Sequence, residues 1–153
     1  MAARRRLRGP SSLSRVFIDT NVFVYADDAD SPEKRALARP IIREHLAAGT
    51  GVVSTQVLTE YFAVATRKLS IPSESAHRRV QLMTNFAVVV PTSELVLSAI
   101  ELHRLGSISI WDALIVRAAV SARCTHLLTE DLSDGALVAG VRIDNPFRDA
   151  SAA

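Results

Sequence analysis

Val16-Phe17-Ile18-Asp19-Thr20-Asn21 is a run of three apolar residues that passes without a break into an acid and then into two small polar residues. A short continuous apolar run reads as a strand buried on both faces, the form taken by parallel sheets covered by helices. An acid seldom sits beside such a run without partners. Three more acids share the setting. Val57-Leu58 and Tyr61-Phe62 flank Glu60, Ile110-Trp111 and Ala113-Leu114-Ile115 flank Asp112, and Leu127-Leu128 precedes Thr129-Glu130-Asp131. Two like charges about 4 Å apart repel by roughly 4 kcal/mol at an effective dielectric near 20. A fold that gathers all four acids therefore requires a proton or a cation in their midst, and a divalent metal is the simplest answer.

Outward from that stretch, short apolar runs alternate with longer segments of helical spacing, which predicts an α/β domain with a central, mostly parallel sheet flanked by helices. Ser31-Pro32 offers a cap and a proline at the first helical position, opening a helix that stops before Gly49. Gly49 and Gly51 bracket a turn, and Val52-Val53 is a strand leading to Ser54, the cap of a helix with Val57, Leu58, Tyr61, Phe62 and Ala65 on its apolar face. A helix follows from Pro72-Ser73 to about Asn85, then a strand over 87–90 and a helix over 93–105 closed by Gly106. Ser109 stands three residues before Asp112, the spacing of a capping box, and opens a helix through Ile115, Val116, Ala119 and Val120. Residues 126–128 and 141–143 read as the last strands.

A chain of 153 residues that is 48% hydrophobic and 22% charged suits one domain with a substantial core. Apolar runs stop far short of the roughly 18 residues that span a bilayer. The lone Cys124 cannot form an internal disulfide, which favours a reducing compartment, the cytoplasm. His45, His77, His103 and His126 are scattered without the pairing of zinc sites. The net charge of +2 is uneven: residues 1–15 hold five arginines and no acid, and the remainder holds 13 basic and 16 acidic residues. With Gly9, Pro10 and three serines, residues 1–15 read as a disordered basic tail ahead of a domain over 16–148, with a short tail over 149–153.

Each acid also has a structural explanation. Asp112 stabilises a helix start as the partner of Ser109, Asp19 caps the segment 22–26, Glu60 lies at a solvated helix edge, and Asp131 belongs to the turn Glu130-Asp131-Leu132-Ser133-Asp134-Gly135. Topology argues for more: ligands of open α/β sheets gather beyond the carboxyl ends of the strands, where Asp19 and Asp131 both fall. Asp112 and Glu60 reach the same edge if their helices flank the first strand.

Taken in order, Phe17-Ile18-Asp19-Thr20-Asn21, Ser54-Thr55-Gln56-Val57-Leu58-Thr59-Glu60, Trp111-Asp112-Ala113-Leu114-Ile115 and Leu127-Leu128-Thr129-Glu130-Asp131-Leu132-Ser133-Asp134-Gly135, with Asn145-Pro146-Phe147 behind, resemble a PIN-domain ribonuclease. The likeness is nearest to the VapC-type toxins of toxin–antitoxin pairs and covers residues 16 to about 148. It implies a PIN-like three-layer fold, a metal-binding catalytic pocket of Asp19, Glu60, Asp112 and Asp131, and a small hydroxyl position at Thr20. It also implies an RNA substrate, a small antitoxin partner and a homodimer.

Two departures concern the body. Arg123 stands where many relatives carry a helix-ending glycine, so the helix is expected to stop without an easy left-handed residue. Glu130 beside Asp131 leaves the fourth acid ambiguous, although the motif favours Asp131. The resulting expectation is endoribonucleolytic hydrolysis. Asp19 and Asp112 hold Mg²⁺ or Mn²⁺, hard cations suited to oxygen ligands, and Glu60 and Asp131 complete the shell or orient water. Two rival expectations are a catalytically silent protein-interaction module and a phosphate-transfer domain using Asp19 as nucleophile. The latter is weakened because no second acid stands two positions on. Trp111 reads as a packing residue anchoring its helix, with stacking on a base as the alternative.

Overall fold

The computed structural model describes residues 14–150, so the basic tail expected over 1–15 lies almost wholly outside the described residues. Arg15, at its edge, accepts a hydrogen bond from Thr125 N through its carbonyl (3.0 Å) and donates through its guanidinium to Ala122 O (3.0 Å). From there the chain alternates: β1 (Val16–Ile18), α1 (Thr20–Ala26), α2 (Pro32–Ala48), β2 (Gly51–Ser54), α3 (Thr55–Arg67), α4 (Ser73–Met83), β3 (Ala87–Val89), α5 (Ser93–Leu105), α6 (Ile110–Ser121), β4 (His126–Leu128), β5 (Leu137–Val138) and β6 (Val141–Asp144). The strands form one sheet in the order β3-β2-β1-β4-β6-β5. All pairings are parallel except that of β5 with β6. This is the predicted α/β fold. The two-residue β5 is the unforeseen strand, too short to show any period.

The central strands are buried on both faces, as continuous apolar runs require. Phe17 lies between Val52 of β2 and Leu127 of β4, and Leu127 is paired in turn with Ile143 of β6. All four are wholly inaccessible to solvent, so one row of side chains crosses the sheet through the core. Among the described residues no helix is long and apolar enough to cross a membrane.

Three local readings are corrected. Ser31 precedes α2, but its hydroxyl makes no capping hydrogen bond; Pro32 and the Arg35 N to Ser31 O bond (2.9 Å) start the helix instead. Gly51 lies inside β2 rather than in a turn, and a Cβ there would meet the Phe86 ring at 2.5 Å, so close approach of an aromatic ring is what demands glycine. Arg123 takes the left-handed conformation itself (φ 58°). Cys124 N bonds Ala119 O (2.9 Å) and Arg123 N bonds Val120 O (3.0 Å), which closes α6 with the paired bonds of a Schellman ending, without the glycine.

The candidate acidic site

The chain lays β1, then β2 and β3, on one side and returns to place β4 on the other, so the strand order reverses between β1 and β4. A crevice at the carboxyl ends of the strands follows from that reversal. Ile18 is paired with Leu128, and the two strands therefore release Asp19 and Thr129 side by side. Asp19 N bonds Leu128 O (3.0 Å), and the Thr129 hydroxyl donates to Asp19 Oδ2 (2.8 Å). Asp19 Oδ1 accepts from Thr20 N (2.7 Å), making Asp19 the cap of α1, as its place after the strand suggested. Both oxygens thus have a donor, yet the residue is only 5% exposed.

Burial is the chief reason that the Asp19 carboxyl is raised from 3.8 to about 7; the hydrogen bonds from Thr129 and Thr20 oppose the rise, and the charges of Asp131 and Glu60 add to it. Asp112 is also raised, first by desolvation, with Ser109 opposing and Glu60 adding. Desolvation likewise leads for Asp131, reinforced by Asp112, Glu130 and Glu60 and countered by Asn21. Four segments remote in sequence therefore feel one another's charge. The structure brings together all four acids singled out in the sequence.

Each acid is positioned by its own element. Ser54 caps α3, and one and a half turns later Glu60 accepts from the Thr20 hydroxyl (2.7 Å) through Oε2 and from Gln56 Nε2 (2.8 Å) through Oε1. Glu60 is thus not a solvated helix edge: it is half-buried and tied to α1. Ser109 caps α6 by accepting from Asp112 N (3.0 Å), which sets Asp112 in the helix's first turn, within range of the charges of Glu60 and Asp131. Asp131 is held at the open rim, its N donating to Thr129 Oγ1 (3.1 Å) and its Oδ2 accepting from Asn21 Nδ2 (3.3 Å). Glu130 is tied elsewhere: its oxygens accept from the Tyr25 hydroxyl (2.6 Å) and Lys34 Nζ (3.1 Å), the latter an ion pair.

Thr129, Asn21, Gln56 and Lys34 were not singled out as site residues. Thr129, 1% exposed, had one available signal: a hydroxyl directly after a strand. Trp111 corrects an expectation outright. It is 65% exposed, because Ala113, Val116 and Ala119 carry the buried stripe of α6 and leave the indole off it.

The donor chemistry suits a hard divalent ion. Because the Asp131 carboxylate can only accept, Asn21 must turn its NH₂ toward it, which leaves Asn21 Oδ1 buried and without a hydrogen-bond partner. An orphaned carbonyl oxygen among carboxylates is the kind of donor that Mg²⁺ and Mn²⁺ take. Hydroxyls and amides are interleaved with the acids, and among the described residues no group of three or more acidic, histidine or cysteine side chains is placed to hold a metal ion by itself.

Residues 16–133 match the family model of the PIN domain. No curated protein matches the chain. Among solved structures, a toxin–antitoxin complex from Klebsiella pneumoniae is similar in fold at 18% identity and a TM-score of 0.62, covering 87% of this chain and 98% of that one. A Mycobacterium tuberculosis VapC toxin, described as cleaving the sarcin-ricin loop, is 20% identical with a TM-score of 0.58, over 73% and 86% of the two chains. DNA-bound VapBC from Salmonella typhimurium gives 16%, 0.64, 88% and 99%. At these identities the likeness is one of fold.

Proposed function

The chain belongs to the PIN-domain family, and from that premise we propose that it is a divalent-metal-dependent endoribonuclease, the toxin of a toxin–antitoxin pair. One observation carries the reading. A buried carboxyl at the strand-order reversal, Asp19, faces the charges of Glu60 and Asp131, both of which in turn couple to Asp112, and every named pair raises rather than relieves the electrostatic cost. A helix cap explains Asp19 alone and Asp112 alone; it does not explain their convergence.

In this reading Asp19 and Asp112 hold Mg²⁺ or Mn²⁺, with Glu60, Asp131 and the free Asn21 carbonyl oxygen within the same donor set. The ion supplies counter-charge for the scissile phosphate and makes water more acidic, which reconciles an acidic pocket with an acidic substrate. The chain's own residues do the rest. Thr129 and Thr20 fix both Asp19 oxygens, so the carboxylate cannot swing. Glu60, aligned by Thr20 and Gln56, would complete the ion's shell or orient the water. Asp131, at the rim, orients the water or the substrate. The complexes from Klebsiella pneumoniae and Salmonella typhimurium support an antitoxin as partner; a second copy of the chain as mate is part of the same proposal.

Purified protein incubated with RNA should cleave it with Mg²⁺ or Mn²⁺ and not with chelator. Asp19→Asn and Asp112→Asn should each lower the rate by about 100-fold or more, on the scale of removing one electrostatic group from a reaction site. Undiminished cleavage by either folded variant overturns the assignment.

A further inference from the structure

We propose that Trp111 is a nucleobase platform beside the acidic site, stacking on the base of a nucleotide next to the scissile phosphate; this rests on the ribonuclease reading above. The indole is 65% exposed although it is the largest apolar side chain of α6, and it neighbours Asp112 in the first turn of that helix. Consecutive helical side chains diverge by about 100°. With Asp112 turned to the pocket, the ring therefore flanks the pocket and does not line it, the place of a neighbouring nucleotide's base when a phosphate lies at the carboxylates.

The platform is anchored. Gln56 Nε2 donates to Glu60 Oε1 (2.8 Å) and also reaches Trp111 O (3.4 Å), so one amide fixes the backbone under the indole relative to an acid of the site. The electrostatics call for such a contact. The site is acidic, and Lys34 beside it is engaged by Glu130 and Tyr25. Attraction for RNA that does not come from charge must come from the bases, and every base has a face to stack.

Trp111 is the sole tryptophan of the chain, so its fluorescence reports directly on the contact. The full-length Asp112→Asn variant is titrated with a single-stranded RNA that is also offered to the wild type for cleavage. Saturable quenching of the indole is expected. In cleaving protein, Trp111→Ala should raise KM by about 5- to 100-fold, the range of one lost base stack, and by more than it lowers kcat. Trp111→Phe should restore most of the loss. Quenching by RNA together with a wild type that fails to cleave supports the platform and overturns only the nuclease reading. Absent quenching, an unchanged KM in Trp111→Ala, or a Trp111→Ala defect confined to dimer or antitoxin binding, each overturns the platform; cleavage that still depends on Asp19 then leaves the nuclease standing.

Discussion

Asp19→Asn should stabilise the protein in chelator at pH 8 and fail to do so at pH 4. The Asp19 carboxyl, ordinarily near 3.8, is raised to about 7 in the fold, mainly by burial and further by Asp131 and Glu60, which face it from the β4 loop and α3. A raised carboxyl favours the protonated fold. Below pH 3.8 the group is protonated folded and unfolded alike, and its contribution is fully present. Between 3.8 and about 7 the unfolded chain loses the proton that the folded chain keeps, so stability falls with pH, and above 7 the loss is complete. At 1.36 kcal/mol per tenfold step, the window corresponds to about 4 kcal/mol. Asparagine keeps the cap on Thr20 N but cannot accept from Thr129 with its NH₂, a cost of about 1 kcal/mol. The net gain at pH 8 is then about 3 kcal/mol, or roughly 6–12 °C in Tm for a chain of this size. Thermal unfolding of both proteins with EDTA from pH 4 to 9 measures it. Millimolar Mg²⁺ should raise the wild type at pH 8 and narrow the gap, since an ion held at the proposed site would bind only the folded state. A wild-type Tm that is flat across this range in EDTA, or a variant less stable at pH 8, refutes the reasoning.

Two further outcomes rest on separate contacts. Glu130→Gln removes the partner of Lys34 while leaving an acceptor for Tyr25, so Tm should fall by about 2–4 °C, for about 1 kcal/mol, with cleavage retained; equal loss of cleavage in Glu130→Gln and Asp131→Asn would contradict the separation drawn between them. Arg123→Gly should relieve a left-handed backbone worth about 1–2 kcal/mol, partly offset by the entropy of glycine in the unfolded chain. The expected net gain is about 1 kcal/mol, read as a Tm higher by about 2–4 °C, and an unchanged or lower Tm would show that the αL position costs nothing here.

How much was legible follows from the range of each interaction. Asp19 and Asp112 could be placed on their elements from local pattern, because a strand end and a capping box are written within six residues, but that Asp112 reaches the edge of Asp19 depended on which helices flank β1, which no local pattern states. The choice between Glu130 and Asp131 could not, since it depends on Lys34 and Tyr25, about a hundred positions away. Trp111 misled because apolar spacing counts hydrophobic residues on a helix without saying which stripe meets the sheet. The small residues Ala113, Ala118 and Ala119 take that stripe because α6 packs close to β2, β4 and β6, and an indole has no room there. Arg123 broke the glycine rule without breaking the motif, since the Schellman bonds form whatever side chain takes the αL position.

Chemistry at this site is favoured by what the fold does not need. Asp19 satisfies two donors, Thr20 N and the Thr129 hydroxyl. As a helix cap, asparagine or serine serves about as well as aspartate. The feature that those residues lack is the negative charge, and the charge is the part that destabilises a site 5% exposed with Glu60 and Asp131 nearby. The helix dipole returns only about 1 kcal/mol or less for a charge at a cap, well short of the cost of burial, so capping alone does not account for an ionisable group here. Ligation of a cation reverses the sign: burial then excludes competing water, the neighbouring acids become co-ligands, and the same carboxylates that weaken the metal-free fold strengthen the metal-bound one. The pH dependence and the Mg²⁺ response of wild type against Asp19→Asn thus test one idea from two sides.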